Sequence, residues 1–216
     1  MATRLIPTRR TLSESESQSG VGASPAQRPC ETTGRRRKTG ATAVVLGIDP
    51  GMNRTGYAVV AMPNGAVADA GLIRSNVRAE LPARLAEIAA GLDEVLSECR
   101  PDLIAVEELF AHYKHPRTAI LMGHVRGVVL LAAARHGVRV LPLSATRIKR
   151  TLTGNGHAGK SQVQRAITTT LGLPRIPQPA DVADALAIAW CAGILESPRP
   201  VSIDRCGSAV RKGVAR

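Results

Sequence analysis

Val44-Val45-Leu46-Gly47-Ile48-Asp49-Pro50-Gly51 is the stretch from which the rest of this chain is read. Its first five residues are apolar or glycine, and three are β-branched, which describes a buried strand. The strand stops on a carboxylate, and Pro50-Gly51 turns the chain away. Working outward, Gly56-Tyr57-Ala58-Val59-Val60-Ala61 reads as a second strand. Pro63-Asn64-Gly65 follows as a hairpin turn, whose Asn-Gly pair tolerates positive φ. Ala66 to Ile73 then returns as a third strand.

The period now changes from two to about 3.6. Leu81, Leu85, Ile88, Leu92, Val95, Leu96 and Cys99 recur at spacings of three and four, so they share one face of a helix that Pro101 ends. Leu103–Val106 is a fourth strand, and Glu107 ends it. A long helix over 117–136 carries Gly123 and Gly127 one turn apart. Val138–Leu143 is a fifth strand. Shorter helices are expected over 144–152 and 160–171, and a final one from Ala180 to about Leu195. Three strands joined by hairpins, then alternating helices and strands, predict an α/β fold: a five-stranded mixed sheet flanked by helices. A right-handed crossover through the first helix places the fourth strand beside the first. Asp49 and Glu107 would then end neighbouring parallel strands.

Outside this region the texture differs. Residues 1–41 include Ser13-Glu14-Ser15-Glu16-Ser17 and Arg35-Arg36-Arg37-Lys38 and have no hydrophobic period, so they read as a disordered basic extension. Residues 42–196 form one nuclease-sized domain, and 197–216 a flexible basic tail. The 216 residues carry 29 Lys plus Arg against 17 acids, a net charge of +12 that favours a polyanionic partner such as nucleic acid. No apolar run reaches the roughly 18–20 residues of a membrane span, and the N-terminus has no apolar segment of signal-peptide type. Cys30, Cys99, Cys191 and Cys206 are scattered without a CxxC pair, as reduced thiols of a cytoplasmic protein would be.

In so basic a chain, acids at strand ends and at a helix start require a reason. Asp49 and Glu107 end strands, and Asp181 and Asp184, three apart, share one face at the start of the last helix. Two carboxylates about 5 Å apart repel by roughly 3 kcal/mol at an effective dielectric of about 20. Four together would raise one another's pKa. Divalent magnesium removes the conflict, because hard cations take oxygen ligands, and two such ions suit phosphodiester hydrolysis. Taken singly, Asp49 could equally be a turn residue and Asp181 a helix cap.

Five blocks, in order, resemble the RuvC family, the Holliday-junction resolvases of the ribonuclease H-like fold. They are Leu46-Gly47-Ile48-Asp49-Pro50-Gly51 with Thr55-Gly56-Tyr57; Val106-Glu107 with Phe110; Gly123-His124-Val125-Arg126-Gly127; Gly159-Lys160-Ser161-Gln162-Val163-Gln164; and the run from Ala180-Asp181-Val182-Ala183-Asp184 to Ala189. The resemblance implies a homodimer that uses Mg2+, two ions per active site with Mn2+ able to substitute. It implies paired symmetric nicks in a four-way DNA junction during recombination and repair, beside the branch-migration proteins RuvA and RuvB. Asp49, Glu107, Asp181 and Asp184 match the family's metal-binding catalytic acids. Lys149 and Lys160 match lysines placed near the cut strand, where each can hold a phosphate oxygen, although a solvated helix face explains them as well.

Phe110, the only Phe, falls in the loop after Glu107, where it can stack on a DNA base; core packing is its ordinary alternative. Gly123 and Gly127 permit close helix packing, inside the domain or across a dimer axis. Gly154, Gly156 and Gly159 suggest a flexible loop between the two lysines. His112 and His115 read as surface residues and Trp190 as core. Among rivals, an actin-like phosphotransferase needs a second half that this length cannot hold. A non-catalytic junction binder would lack one of the acids. A nuclease for RNA–DNA hybrids lacks a reason for Phe110 and the Lys160-Ser161-Gln162 block.

Overall fold

The computed structural model describes residues 2–4, 43–109 and 116–197. The elements in chain order are β1 (Ala2–Arg4), β2 (Ala43–Asp49), β3 (Arg54–Met62), β4 (Ala66–Arg74), α1 (Leu81–Cys99), β5 (Leu103–Glu107), α2 (Pro116–Arg135), β6 (Arg139–Leu143), α3 (Ala145–Thr153), α4 (Lys160–Thr170) and α5 (Ala180–Glu196). They form one sheet in the order β1-β4-β3-β2-β5-β6. β2, β3 and β4 pair antiparallel through their hairpins, while β5 lies parallel to β2 and β6 parallel to β5. The five-stranded mixed sheet flanked by helices is therefore present.

One strand is additional. Ala2, Thr3 and Arg4 pair with Ile73, Leu72 and Gly71, so part of the 1–41 extension is ordered backbone and the sheet has six strands. The hairpin leaves β4 as an open edge with unpaired backbone groups, and an extended segment can add there with no hydrophobic pattern of its own. That is why the sequence carried no sign of it.

Alternation along the strands divides the core. Leu46, Ile48, Tyr57, Val59 and Ile104 face one way and pack with Ile88, Leu92 and Val95 of α1 and Val125 and Val129 of α2. Val45, Ala58, Val60, Leu103 and Ala105 face the other way, onto α3, α4 and α5. Side chains two residues apart share a face. Asp49 thus continues the row Val45-Gly47-Asp49, and Glu107 the row Leu103-Ala105-Glu107, both toward α5.

α5 lies unusually close to the sheet. It is buried on nearly every side, and its sequence supplies alanines at 183, 185, 187, 189 and 192. A Cβ on Gly47 would come within 2.2 Å of the Ala185 carbonyl oxygen, and one on Gly56 within 2.2 Å of that of Asp181. Only glycine on the strands lets the helix backbone sit there. Trp190 is half-buried at the edge of the same core.

By length and composition, Arg117–Arg135 of α2 would pass as a membrane span. His124 and Arg126 interrupt it, so it is not an unbroken apolar run. Val125, Val129, Ala132 and Ala133 are nevertheless buried against the sheet. Its other side leaves Ile120, Leu130 and Leu131 exposed.

Candidate active site

The four acids meet at one end of the sheet. Ile48 is in register with Val106, so Asp49 and Glu107 come next on adjacent parallel strands. Gly56 is the cross-strand partner of Asp49 and lies beneath the first turn of α5. Asp181 and Asp184 therefore hang over the two strand ends, at the helix N-terminus, where the backbone dipole favours negative charge.

Their mutual field is large. Burial, then Asp184, Glu107 and Asp181 in that order, push the Asp49 carboxyl from 3.8 up to about 7, against a smaller opposing pull from Lys160. Burial and then Asp184 also raise Glu107, while Lys149 and Lys160 draw it down. The Lys160 ammonium lies 2.7 Å from Asp184 Oδ2. That hydrogen bond, ahead of the fields of Asp49 and Asp181, raises the lysine above its ordinary value. Lys149 and Lys160 are thus both beside the acids, from α3 and from the N-terminus of α4.

Asp181 Oδ2 is buried and accepts no hydrogen bond. Arg54 Nε, 3.4 Å away, supplies charge without a hydrogen bond. An orphaned carboxylate oxygen, a neighbouring carboxyl raised to about 7 and an all-oxygen donor set fit a hard divalent cation. Among the described residues the donors do not close into a ready-made metal cage.

Two arginines here were not singled out from the sequence. Arg54, at the start of β3, pairs with Asp181. Arg126 of α2 donates through Nη1 to the Glu107 backbone oxygen at 2.8 Å. Arg126 stands inside a quoted motif, but contact with a strand 19 residues earlier leaves no local signal.

Local hydrogen bonds and one buried side chain shape the glycine loop between the lysines. His157 N donates to Asn155 Oδ1 at 2.9 Å, Gly159 N to Gln162 Oε1 at 2.9 Å, and Ala158 is buried. Gly156 is glycine because a Cβ would meet Thr146 Cγ2 at 2.7 Å. The loop leads through Gly159, the N-cap, to Lys160 at the first position of α4. Arg147, Arg150, His157 and Arg165 are exposed around it, a basic face beside the acids. Phe110, His112 and His115 lie outside the described residues. Neither Gly123 nor Gly127 would meet an atom within 4 Å if given a Cβ. That removes the packing within the domain considered for them, as far as the described residues go.

The family model described as "Crossover junction endodeoxyribonuclease RuvC" matches residues 45–192. A protein of that name from Rhodopirellula baltica is 51% identical over 160 residues, covering 73% of this chain and 90% of its own. Another from Alkaliphilus oremlandii is 40% identical over 150 residues, covering 68% and 91%. The solved structure "T. thermophilus RuvC in complex with Holliday junction substrate" superposes with a TM-score of 0.65 at 36% identity, covering 70% of this chain and 96% of that one.

Proposed function

From the premise that this chain belongs to the RuvC family, we propose a site-by-site account of how it works. The protein is a crossover junction endodeoxyribonuclease that resolves four-way DNA junctions in recombination and repair. The observation that carries the mechanism is the convergence of Asp49, Glu107, Asp181 and Asp184 at one end of the sheet, where burial first and then the neighbouring carboxylates push Asp49 up to about 7.

Asp49, Glu107, Asp181 and Asp184 would hold magnesium, probed equally by manganese, whose chemistry is to activate water and to stabilise the departing 3′ oxygen. The chain's own part is largely orientation. β2 and β5 fix two carboxylates on one face, and the close seat of α5 brings down the other two. Lys160 is paired with Asp184 and, with Lys149, would hold a non-bridging phosphate oxygen of the cut strand. Exposed Arg147, Arg150 and Arg165 extend that grip along the backbone. Phe110, three residues beyond Glu107, is the proposed base-stacking contact.

Symmetric nicking of two opposed strands needs two sites, and we assign the pairing to α2. Ile120, His124, Gly127 and Leu131 recur at spacings of four, three and four and line an open groove with Gly123 and Val128. That is the narrow seam of a helix facing another helix, and the two glycines let backbones approach. Cytoplasmic location, the branch-migration proteins RuvA and RuvB as partners, and a 42–196 nuclease domain between basic tails belong to the same proposal.

The direct test offers magnesium and three substrates: a mobile four-way junction, a plain duplex and an RNA–DNA hybrid. The junction should be cut in opposed strands by a dimer, with the other two spared. Cleavage of the hybrid alone would replace this reading with that of a hybrid nuclease.

The lysines give a second expectation. Lys149→Ala and Lys160→Ala should each slow single-turnover cleavage by about 10²-fold while junction affinity changes far less. If they serve binding alone, affinity and its salt dependence will fall while the bound rate stays at wild type.

A further inference from the structure

We propose that Arg126 is a positioning residue for Glu107, setting the end of β5 from the opposite side of the sheet. This inference rests on the active-site reading above and adds a residue that acts through Glu107 instead of touching DNA or metal.

Glu107 is the last residue of β5. Ladder pairing weakens at this point. On one side, β2 ends at Asp49, and Pro50 after it has no N–H with which to extend the ladder. On the other, Glu108 N still reaches the Leu143 oxygen of β6 at 2.8 Å. The Glu107 carbonyl is taken by Arg126 Nη1 at 2.8 Å. A guanidinium N–H on a backbone oxygen is charge-assisted, hence stronger than the amide bond it replaces.

Arg126 is itself well held. It follows Val125, fully buried in the core beneath β2 and β5, and precedes Val129, also buried there. Its helical neighbours Gly123, His124 and Gly127 lie on the open side. The side chain is half-buried at the boundary between the two. From a helix packed on the sheet through Val125 and Val129, the arginine thus grips the strand end, and the Glu107 carboxylate projects to the α5 face. Displacement of such supporting groups by about an ångström is enough to cost a large factor in rate.

The test uses the full-length protein with Arg126→Ala and Arg126→Lys. Arg126→Ala should lower the single-turnover cleavage rate about 10- to 100-fold, with junction affinity within about threefold of wild type. Its melting temperature without metal should stay near wild type. The rise in melting temperature on titrating magnesium chloride should require about tenfold more metal than in wild type. Arg126→Lys should recover part of both losses, because one ammonium proton can reach one carbonyl. Unchanged rate and metal response in Arg126→Ala would overturn the assignment. So would a large drop in melting temperature that accounts for the lost rate and is not reversed by lysine, since Arg126 would then be a structural staple. If wild type itself cuts no junction, the resolvase reading fails, and the magnesium titration still decides the role of Arg126.

Discussion

Asp49→Asn is expected to reduce magnesium-dependent nicking of a four-way junction by roughly three orders of magnitude or more, with junction binding retained. The substitution keeps the shape of the side chain and its place at the end of β2. It removes one negative charge from a site whose proposed work is to hold cations, and leaves the basic face untouched. Wild-type cleavage by this variant would remove Asp49 from the site. The same variant should also be more stable than wild type in the absence of metal, in a pH-dependent way. The Asp49 carboxyl titrates near 7 in the fold and near 3.8 when unperturbed. Between those values the folded chain keeps a proton that the unfolded chain has released. The contribution of this carboxyl to stability therefore falls as pH rises from about 4 to 7 and is level above. Asparagine copies the protonated form at every pH. The melting-temperature advantage of Asp49→Asn should thus be near zero at pH 4, grow to several degrees by pH 7 and then plateau. An advantage that shrinks as pH rises would contradict the buried, acid-crowded position of this carboxyl.

Gly56→Ala should be nearly as damaging, although it deletes nothing. The new Cβ would stand 2.2 Å from the Asp181 backbone oxygen and 3.2 Å from its Cβ. Neither β3, paired on both sides, nor the buried helix can yield without moving the other. Overpacking of this kind costs typically about 1–3 kcal/mol, and contact with backbone instead of a flexible side chain places it at the upper end. For a domain of this size that is a fall of roughly 5–10 °C in melting temperature. Cleavage should fall by about 10²-fold or more at temperatures where the variant is still folded, because lifting the first turn of α5 carries Asp181 and Asp184 away from Asp49 and Glu107. Calorimetry with a cleavage assay at 25 °C separates the two effects. A variant with unaltered melting temperature and rate would mean that α5 does not lie so close.

The elements themselves were legible because each has a strong local pattern. The aliphatic run before Asp49, the Asn-Gly hairpin and the three-and-four spacing from Leu81 to Cys99 name their own secondary structures, and all are found where expected. The four acids were legible for a different reason: they are out of place in a basic chain, at strand and helix ends. Strand alternation then implied that Asp49 and Glu107 share a face once their strands are neighbours.

What the sequence could not contain is distance between segments without a shared pattern. The edge strand Ala2–Arg4 arises because β4 offers open backbone, a property of the sheet and not of residues 2–4. Gly156 suggested freedom, yet only the approach of Thr146 shows that it removes a clash. The arginines at 54 and 126 could be any of the chain's many cations until folding brings Asp181 and the Glu107 carbonyl to them. Periodicity and end signals are local, so the chain alone determined its elements, their layering and the acids at their ends. Charge pairing and close backbone approach depend on the third dimension, so tertiary structure alone decided that Lys160 meets Asp184, that Arg126 grips Glu107 and that glycine at 47 and 56 seats the last helix.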